Sequence, residues 1–407
     1  MRIVYVHQHF RTPAMSGGTR SYEFARRLVA AGHQVSVVTA RTASGRRSGS
    51  ARWHRTTEQG IDVHWVDVPY DNSMRPWRRV LAFLQFMVAS SRRAAGLPQD
   101  VVLGTSTPLT VAVPAAWAAR RNRCRMVLEV RDLWPEVPIA MGVLRFWPAR
   151  RAAELLERWA YHRADHVIAL SPGMAAGVRA VDPDVPVTVI PNASDIDMFG
   201  TRTTADDELI QNRPWVATRP VLLYAGTFGR ANGISWLVDV AAELRHRCPQ
   251  AVVVLIGQGA EFEQTRRLAA ELGLDDNSCI VLDSVPKPEV AAWFRACTVA
   301  FSCFVDVPAL TANSANKFFD ALAAGRPVAI NHGGWLADVL QETGAGIVLS
   351  RDPGAAASSL SELLTDESRL SDARAAARML AANDFNRDRL FASFQQVLTT
   401  TESSHAA

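Results

Sequence analysis

Short apolar runs alternate along this chain with stretches whose apolar residues recur every three to four positions. Arg2–Val6 (RIVYV) reads as a buried strand. A polar loop ending in Ser16-Gly17-Gly18 follows, and then TRSYEFARRLVAAGH places Tyr22, Phe24, Ala25, Leu28 and Val29 on one helical face with arginines opposite. Gly32-His33 stops this helix, and residues 34–39 (QVSVVT) form the next strand. The succession returns at Val221: VLLYAG is a strand, TFGRANG a glycine-containing turn, ISWLVDVAAELRHR a helix and AVVVLIG a strand. Two βαβ openings far apart predict two Rossmann-like α/β domains in tandem, each with a mostly parallel sheet. Residues 201–219 (TRTTADDELIQNRPWVATR) are polar and lack periodicity, so they read as the linker. The expected division is 1–200, the linker 201–219, a second domain 220–382, and a last amphipathic helix within 383–407 that ends in a frayed tail. Ligands of such sheets sit beyond the carboxyl ends of the strands, which here points to a cleft between the domains.

Composition changes this picture little. A chain of 407 residues is long enough for two cores, and its formal charge of +4 is mild. The positive charge is nearly all arginine, because Lys287 and Lys317 are the only lysines. The five cysteines show no Cys-x-x-Cys pair and no metal-ligand spacing, and read as buried thiols in a reducing compartment. MRIVYVHQHF alternates like a strand and lacks a signal peptide's apolar stretch. Residues 101–119 carry no charge over nearly the length of a membrane span, but Pro108, Pro114 and a polar turn favour a strand followed by a buried helix. Residues 74–95 (MRPWRRVLAFLQFMVASSRRAA) set tryptophan and arginines around an apolar helix. Such a helix either packs on the first sheet or lies in a membrane interface. The arginines are scattered without a recognisable motif, so no nucleic-acid partner is expected.

The sharpest chemical signal is NSANKFFDALAAGRPVA, residues 313–329. Asn313 or Ser314 can cap a helix whose core side is Phe318, Leu322 and Ala323. A helix start offers free backbone N–H groups and a positive dipole end. Lys317 in that first turn costs the helix about 0.3–1 kcal/mol. Its placement makes sense if a diphosphate sits there, gripped by Lys317 and the N–H groups near Asn316, while Asp320 accepts hydrogen bonds from ribose hydroxyls. The competing reading is a surface helix with a stray lysine. Gly17-Gly18 lets backbone approach a ligand, and the turn containing Thr227, Gly229 and Arg230 offers a guanidinium to the same phosphates. EVRDLWPE, residues 129–136, follows the strand MVLEV. It places Arg131, Asp132 and Glu136 at a carboxyl edge, with His7 and His9 near the end of the first strand.

Taken in order, GGTRSYEFARRLVAAGHQVSVVT, RDLWPE, ALSPGM, VIPNASDIDMF, YAGTFGRANG, LIGQGAE and NSANKFFDALAAGRPVA resemble the retaining GT-B glycosyltransferases of family 4. Within that family the resemblance is to members acting on amino or acetamido sugars in bacterial surface polysaccharides. It implies two Rossmann-like domains facing across a central cleft, the last helix crossing back to the first domain, and a nucleotide-sugar donor with uridine as the expected base. The glycine-rich loop matches Gly17-Gly18, and the ribose-gripping acid matches Asp320. Of the paired glutamates common in the family, the later is Asp320 and the earlier is Ala312. The usual Arg and Lys after the first strand of domain two fall at Thr227 and Asn232, and Arg131-Asp132 stands where many members carry a histidine. The resemblance implies no metal and no cofactor. Their positions make Asp132 and Lys317 the expected catalytic residues and His9, Arg131 and Glu136 the acceptor side, while the arginine-rich helix fits a lipid-linked acceptor saccharide and a soluble aglycone stays open. The resemblance also implies a cytoplasmic protein, peripheral on the inner membrane face if residues 74–95 make contact. A nucleotide-sugar epimerase and a non-catalytic donor-binding partner share the architecture and stay open at this point.

Overall fold

The computed structural model describes residues 1–15, 17–41, 52–68, 74 and 76–400. Ser16 of the expected glycine loop, Arg75 of the arginine-rich segment 74–95 and the tail 401–407 lie outside these residues. The chain divides into two compact units, Met1–Pro191 with Leu390–Ala407, and Asn192–Arg389.

The first unit is built on β1 (Arg2–Val6), β2 (Gln34–Ala40), β3 (Trp53–Glu58), β4 (Ile61–Val66), β5 (Val101–Thr105), β6 (Arg125–Val130), β7 (His166–Ala169) and β8 (Val187–Val189). Their order is β3-β4-β2-β1-β5-β6-β7-β8. Every pairing is parallel except β3 with β4, an antiparallel edge hairpin closed at Gln59-Gly60 that periodicity did not reveal. Central strands covered on both faces must be apolar throughout, and Val4, Val6, Val102 and Leu128 are accordingly fully buried. Residues 101–119 divide as expected into β5 and the start of the helix Ala112–Asn122. Among the described residues no helix is long and apolar enough to cross a membrane.

The second unit is built on β9 (Val221–Ala225), β10 (Val252–Ile256), β11 (Cys279–Leu282), β12 (Val299–Phe301), β13 (Val328–Ile330) and β14 (Gly346–Val348). They are ordered β11-β10-β9-β12-β13-β14, all parallel. β9, β10 and β12 sit mid-sheet, so the loops after them share one edge.

Three expected boundaries are corrected. Residues 201–219 are not a linker. Thr203 and Asp206 form a capping box that starts the helix Thr204–Asn212, Asp206 pairs with Arg295 at 2.6 Å, and Leu209 and Val216 join the second core. The first unit ends at Pro191 rather than at residue 200, because Ser194 N donates to Phe385 O at 2.8 Å and Phe199 packs edge-on to Phe294 at 5.5 Å. The returning segment rejoins the first unit at Leu390 rather than at residue 383, because Phe385 packs on Phe319 at 5.0 Å. The last helix, Arg387–Thr399, then carries Phe394 to 4.5 Å from Phe24.

Candidate active site

In the second unit the turn after β9 is tied to itself and to its neighbour. Tyr224 Oη donates to Thr227 O at 2.8 Å, and Asn232 Nδ2 donates to the same carbonyl at 3.0 Å. Gly226 N and Phe228 N donate to Ile256 O and Gln258 O, each at 2.9 Å, which fixes the turn against the loop after β10. That loop must be glycine. A Cβ on Gly257 would stand 1.8 Å from Gly226 O, and one on Gly259 would stand 2.4 Å from Phe228 O.

Lys317 reaches into this turn. Its Nζ donates to Asn232 Oδ1 at 3.0 Å and lies 4.9 Å from the Tyr224 ring centroid and 5.6 Å from that of Phe304. Gly226 makes the room, since a Cβ there would come within 3.1 Å of Lys317 Cε. Burial lowers the Lys317 pKa to about 8, against the opposing pull of Cys303 and Asp320. The ammonium is therefore mostly charged at neutral pH, but short of water and backed by two aromatic faces. Asp320, one turn on, is pushed up to about 7 by burial; Lys287, Arg387 and Lys317 oppose the shift, and Asp195 adds to it.

The helix Asn316–Ala323 starts differently from expectation. Ala315 is its N-cap residue, and no side chain caps it. Ser314 Oγ instead accepts from Asn192 N at 3.2 Å, and Asn192 Nδ2 donates to Ser314 O at 2.5 Å. Asn313 O accepts from Trp335 Nε1 at 3.0 Å. Asn313 and Ser314 thus position the helix start from outside, and Asn316 is exposed at its first residue. Thr227 and Arg230 are exposed and Gly229 is half-buried, with the Arg230 charge bearing on Glu261. Asn232, Tyr224 and Phe304 were not singled out as site residues. Asn232 had a signal, because it occupies the place of a family lysine, and it holds Lys317.

In the first unit Gly17 is exposed with φ +117°, and its missing Cβ would lie 3.5 Å from Arg11 Cγ. Gly18 leads through Thr19 into the helix Arg20–Ala30. Beneath the loop, Arg20 pairs with Glu129 at 2.9 Å, both fully buried, and Arg20 also donates to Ile190 O at 2.8 Å and to Pro191 O. Asp132 accepts from Thr107 Oγ1 at 2.9 Å, and burial raises its pKa. Arg131 N donates to Ser106 Oγ at 3.0 Å. Burial, then the charges of Arg11, Arg131 and Arg79, lower His9 to about 3; burial, then Arg131, His9 and Arg11, put His7 well below its ordinary value. Both imidazoles are neutral near pH 7. Glu136 is exposed at the start of the helix Glu136–Ala140, where its charge bears on Glu157 and Tyr161.

Comparison with known proteins places this architecture. Residues 17–193 match the family described as glycosyl transferase 4-like domain, and residues 219–366 match glycosyl transferases group 1. WcaI of Escherichia coli K12, a glycosyl transferase named for colanic acid biosynthesis, is 25% identical over 293 residues, 67% of this chain and 70% of its own. The GDP-mannose-dependent alpha-(1-6)-phosphatidylinositol monomannoside mannosyltransferase of Mycobacterium tuberculosis is 25% identical over 309 residues, 74% of this chain and 75% of its own. The solved structure of HepE of Anabaena in complex with UDP and glucose superposes with a TM-score of 0.71 at 17% identity, covering 98% of this chain and 99% of that one. The two parallel-sheet units have the GT-B fold. The two matched domains, in this order, take in most of the chain. It belongs to the family 4 glycosyltransferases.

Proposed function

We propose that this protein transfers a sugar, with retention, from a UDP-linked donor to an acceptor hydroxyl in polysaccharide or other glycoconjugate biosynthesis. The observation that carries the reading is Lys317. Its charged amine is held by Asn232 at the mouth of a glycine-lined turn, beside a helix start. Breaking the glycosyl–phosphate bond leaves negative charge on the departing diphosphate, and donors already aimed at that charge lower the barrier. Lys317 and the N–H groups of the first turn supply them, with Arg230 at the outer side of the turn. Asp320 accepts from the ribose hydroxyls. Asp132, held by Thr107, orients a reacting sugar. No general base is assigned, because the leaving phosphate itself takes the acceptor proton. HepE, solved with UDP and glucose, supports the uridine donor, and the resemblance to acetamido-sugar transferases supports an N-acetylated sugar. The mycobacterial relative uses GDP-mannose, so the decisive experiment is calorimetric titration with UDP, GDP and dTDP, followed by donor screening with the nucleotide that binds. Tight binding of GDP alone would overturn the uridine assignment, and binding of none would overturn the donor site.

The reading includes membrane contact through residues 74–95. The helix Pro76–Ala95 buries Ala82, Phe86 and Ala89 yet exposes Trp77, Leu81, Leu84 and Val88 on its other side, with Arg78 and Arg92 exposed and no acidic residue. That face suits an anionic lipid surface. Flotation with phosphatidylglycerol vesicles should carry the protein, and Leu81→Ser with Leu84→Ser should release it. Equal flotation of this variant would refute the contact.

A further inference from the structure

We propose that the first unit binds its acceptor through an anionic group, a phosphate or a carboxylate, gripped by Arg11 and Arg131 at the carboxyl edge of β1, β5 and β6. The proposal rests on the glycosyl-transfer reading and adds the chemical class of the acceptor.

These strands are neighbours in the sheet, so the loops that leave them converge. His7 to Arg11 follow β1, Ser106 and Thr107 follow β5, and Arg131 and Asp132 follow β6. The backbone of Arg131 is tied to Ser106, the Asp132 side chain is tied to Thr107, and Arg11 runs against Gly17. Neither arginine has an ion-pair partner among the described residues; the Arg11 guanidinium donates only to the neighbouring Phe10 O, at 3.4 Å. Both are half-buried. Guanidinium groups partly withdrawn from water without a carboxylate are unfavourable unless a ligand brings the counter-charge.

The nearby acids do not provide it. Glu129 is committed to Arg20. Asp132 is bonded to Thr107, and although the Arg131 charge bears on it, one carboxyl group does not balance two guanidinium groups. The edge is therefore net positive, which is why the charges of Arg11 and Arg131 press on both histidines.

A second observation also points to a ligand. His7, 3% exposed and within reach of the Arg131 and Arg11 charges, has no partner for Nδ1. Buried polar atoms are nearly always satisfied in proteins. An unsatisfied ring nitrogen of a neutral imidazole, near two guanidinium groups without ion pairs, fits a polar, anionic ligand rather than an apolar aglycone. The planar fork of arginine matches the paired oxygens of phosphate and carboxylate alike.

The test uses the full chain saturated with UDP, so that the phosphate site at Lys317 is filled. Thermal unfolding is followed against inorganic phosphate, sodium glucuronate and glucose, with potassium chloride at matched ionic strength as control. Phosphate should raise the midpoint above the chloride control and glucose should not. Arg11→Ala and Arg131→Ala should each weaken phosphate binding at least tenfold while UDP affinity is kept, which also shows that they fold. Arg131→Lys should recover part of the loss, and Lys317→Ala should retain phosphate binding. A response to glucuronate as well identifies a carboxylate-bearing acceptor, and a response to phosphate alone identifies a phosphorylated one. The proposal is overturned if neither phosphate nor glucuronate does more than chloride, if Lys317→Ala abolishes the response, or if Arg131→Ala loses UDP affinity, which would assign that arginine to the donor. If wild type fails to bind UDP, the donor reading falls, and the phosphate series still decides this one.

Discussion

UDP affinity should follow a bell-shaped pH profile whose two limbs belong to Lys317 and Asp320. The lysine, with a pKa lowered to about 8 by burial, is charged in about nine molecules in ten at pH 7 and about one in ten at pH 9, so affinity should fall about tenfold over that interval. The ligand does not contribute to this limb, because a phosphate loses its last proton near about pH 6. Asp320, raised to about 7, loses its carboxylate as pH falls through that value, and with it the acceptor for the ribose hydroxyls. The groups act on each other, so the apparent values belong to the pair. A hydrogen bond to a charged group contributes about 1.5–3 kcal/mol, and about 1.4 kcal/mol is tenfold in affinity, so Lys317→Ala should weaken UDP by about 10- to 150-fold at pH 7. Turnover should drop at least about tenfold with it. Calorimetric titrations from pH 6 to pH 9, in buffers of matched ionic strength, separate the limbs: Lys317→Ala should flatten the alkaline one, and Asp320→Asn should shrink the acid one to the contribution of the UDP phosphate itself, which titrates at about pH 6. A Lys317→Ala protein that binds UDP within twofold of wild type, or keeps the alkaline limb, would refute the assignment.

The same half-buried lysine should cost the free protein stability. Its pKa is depressed on folding, so the penalty is complete below about pH 8 and is relieved as pH rises towards the free-lysine value of about 10.4. Lys317→Met should therefore raise the unfolding midpoint at pH 7, with a gain that shrinks above pH 8, while UDP binding is lost; a lower midpoint at pH 7 would contradict this. Arg20→Ala leaves the Glu129 carboxylate buried and uncompensated, and should cost about 3–5 kcal/mol in urea unfolding, with Arg20→Met/Glu129→Met recovering most of it. Gly257→Ala drives a Cβ to within 1.8 Å of Gly226 O, so the turn carrying Asn232 must move; UDP affinity should fall at least about tenfold even where the variant stays folded.

The two βαβ openings were legible because strand and helix spacing are local properties. Val4, Val6, Phe24 and Leu28 declare their buried faces within a few residues of one another. Lys317 was legible for a related reason: a lysine in a first helical turn works against the dipole, a conflict visible without any partner. The sequence also suggested side-chain caps at Asn313 and Ser314 and a linker at 201–219, and folding overruled both. Ser314 is taken by Asn192, 122 positions away, and the polar-looking segment 201–219 is drawn into the second core by Arg295, 89 positions from Asp206. The antiparallel β3–β4 hairpin escaped notice because an edge strand such as WHRTTE is only half-buried and carries little alternation. What sets the pKa of Lys317 and Asp320 was likewise invisible, since Cys303, Lys287, Asp195 and Arg387 act on these groups from scattered positions. The sequence by itself determined the elements and the one residue out of keeping with its helix. Only the tertiary structure decided which groups surround that residue and with what charge, because burial and Coulomb interaction depend on distances in space that no spacing along the chain encodes.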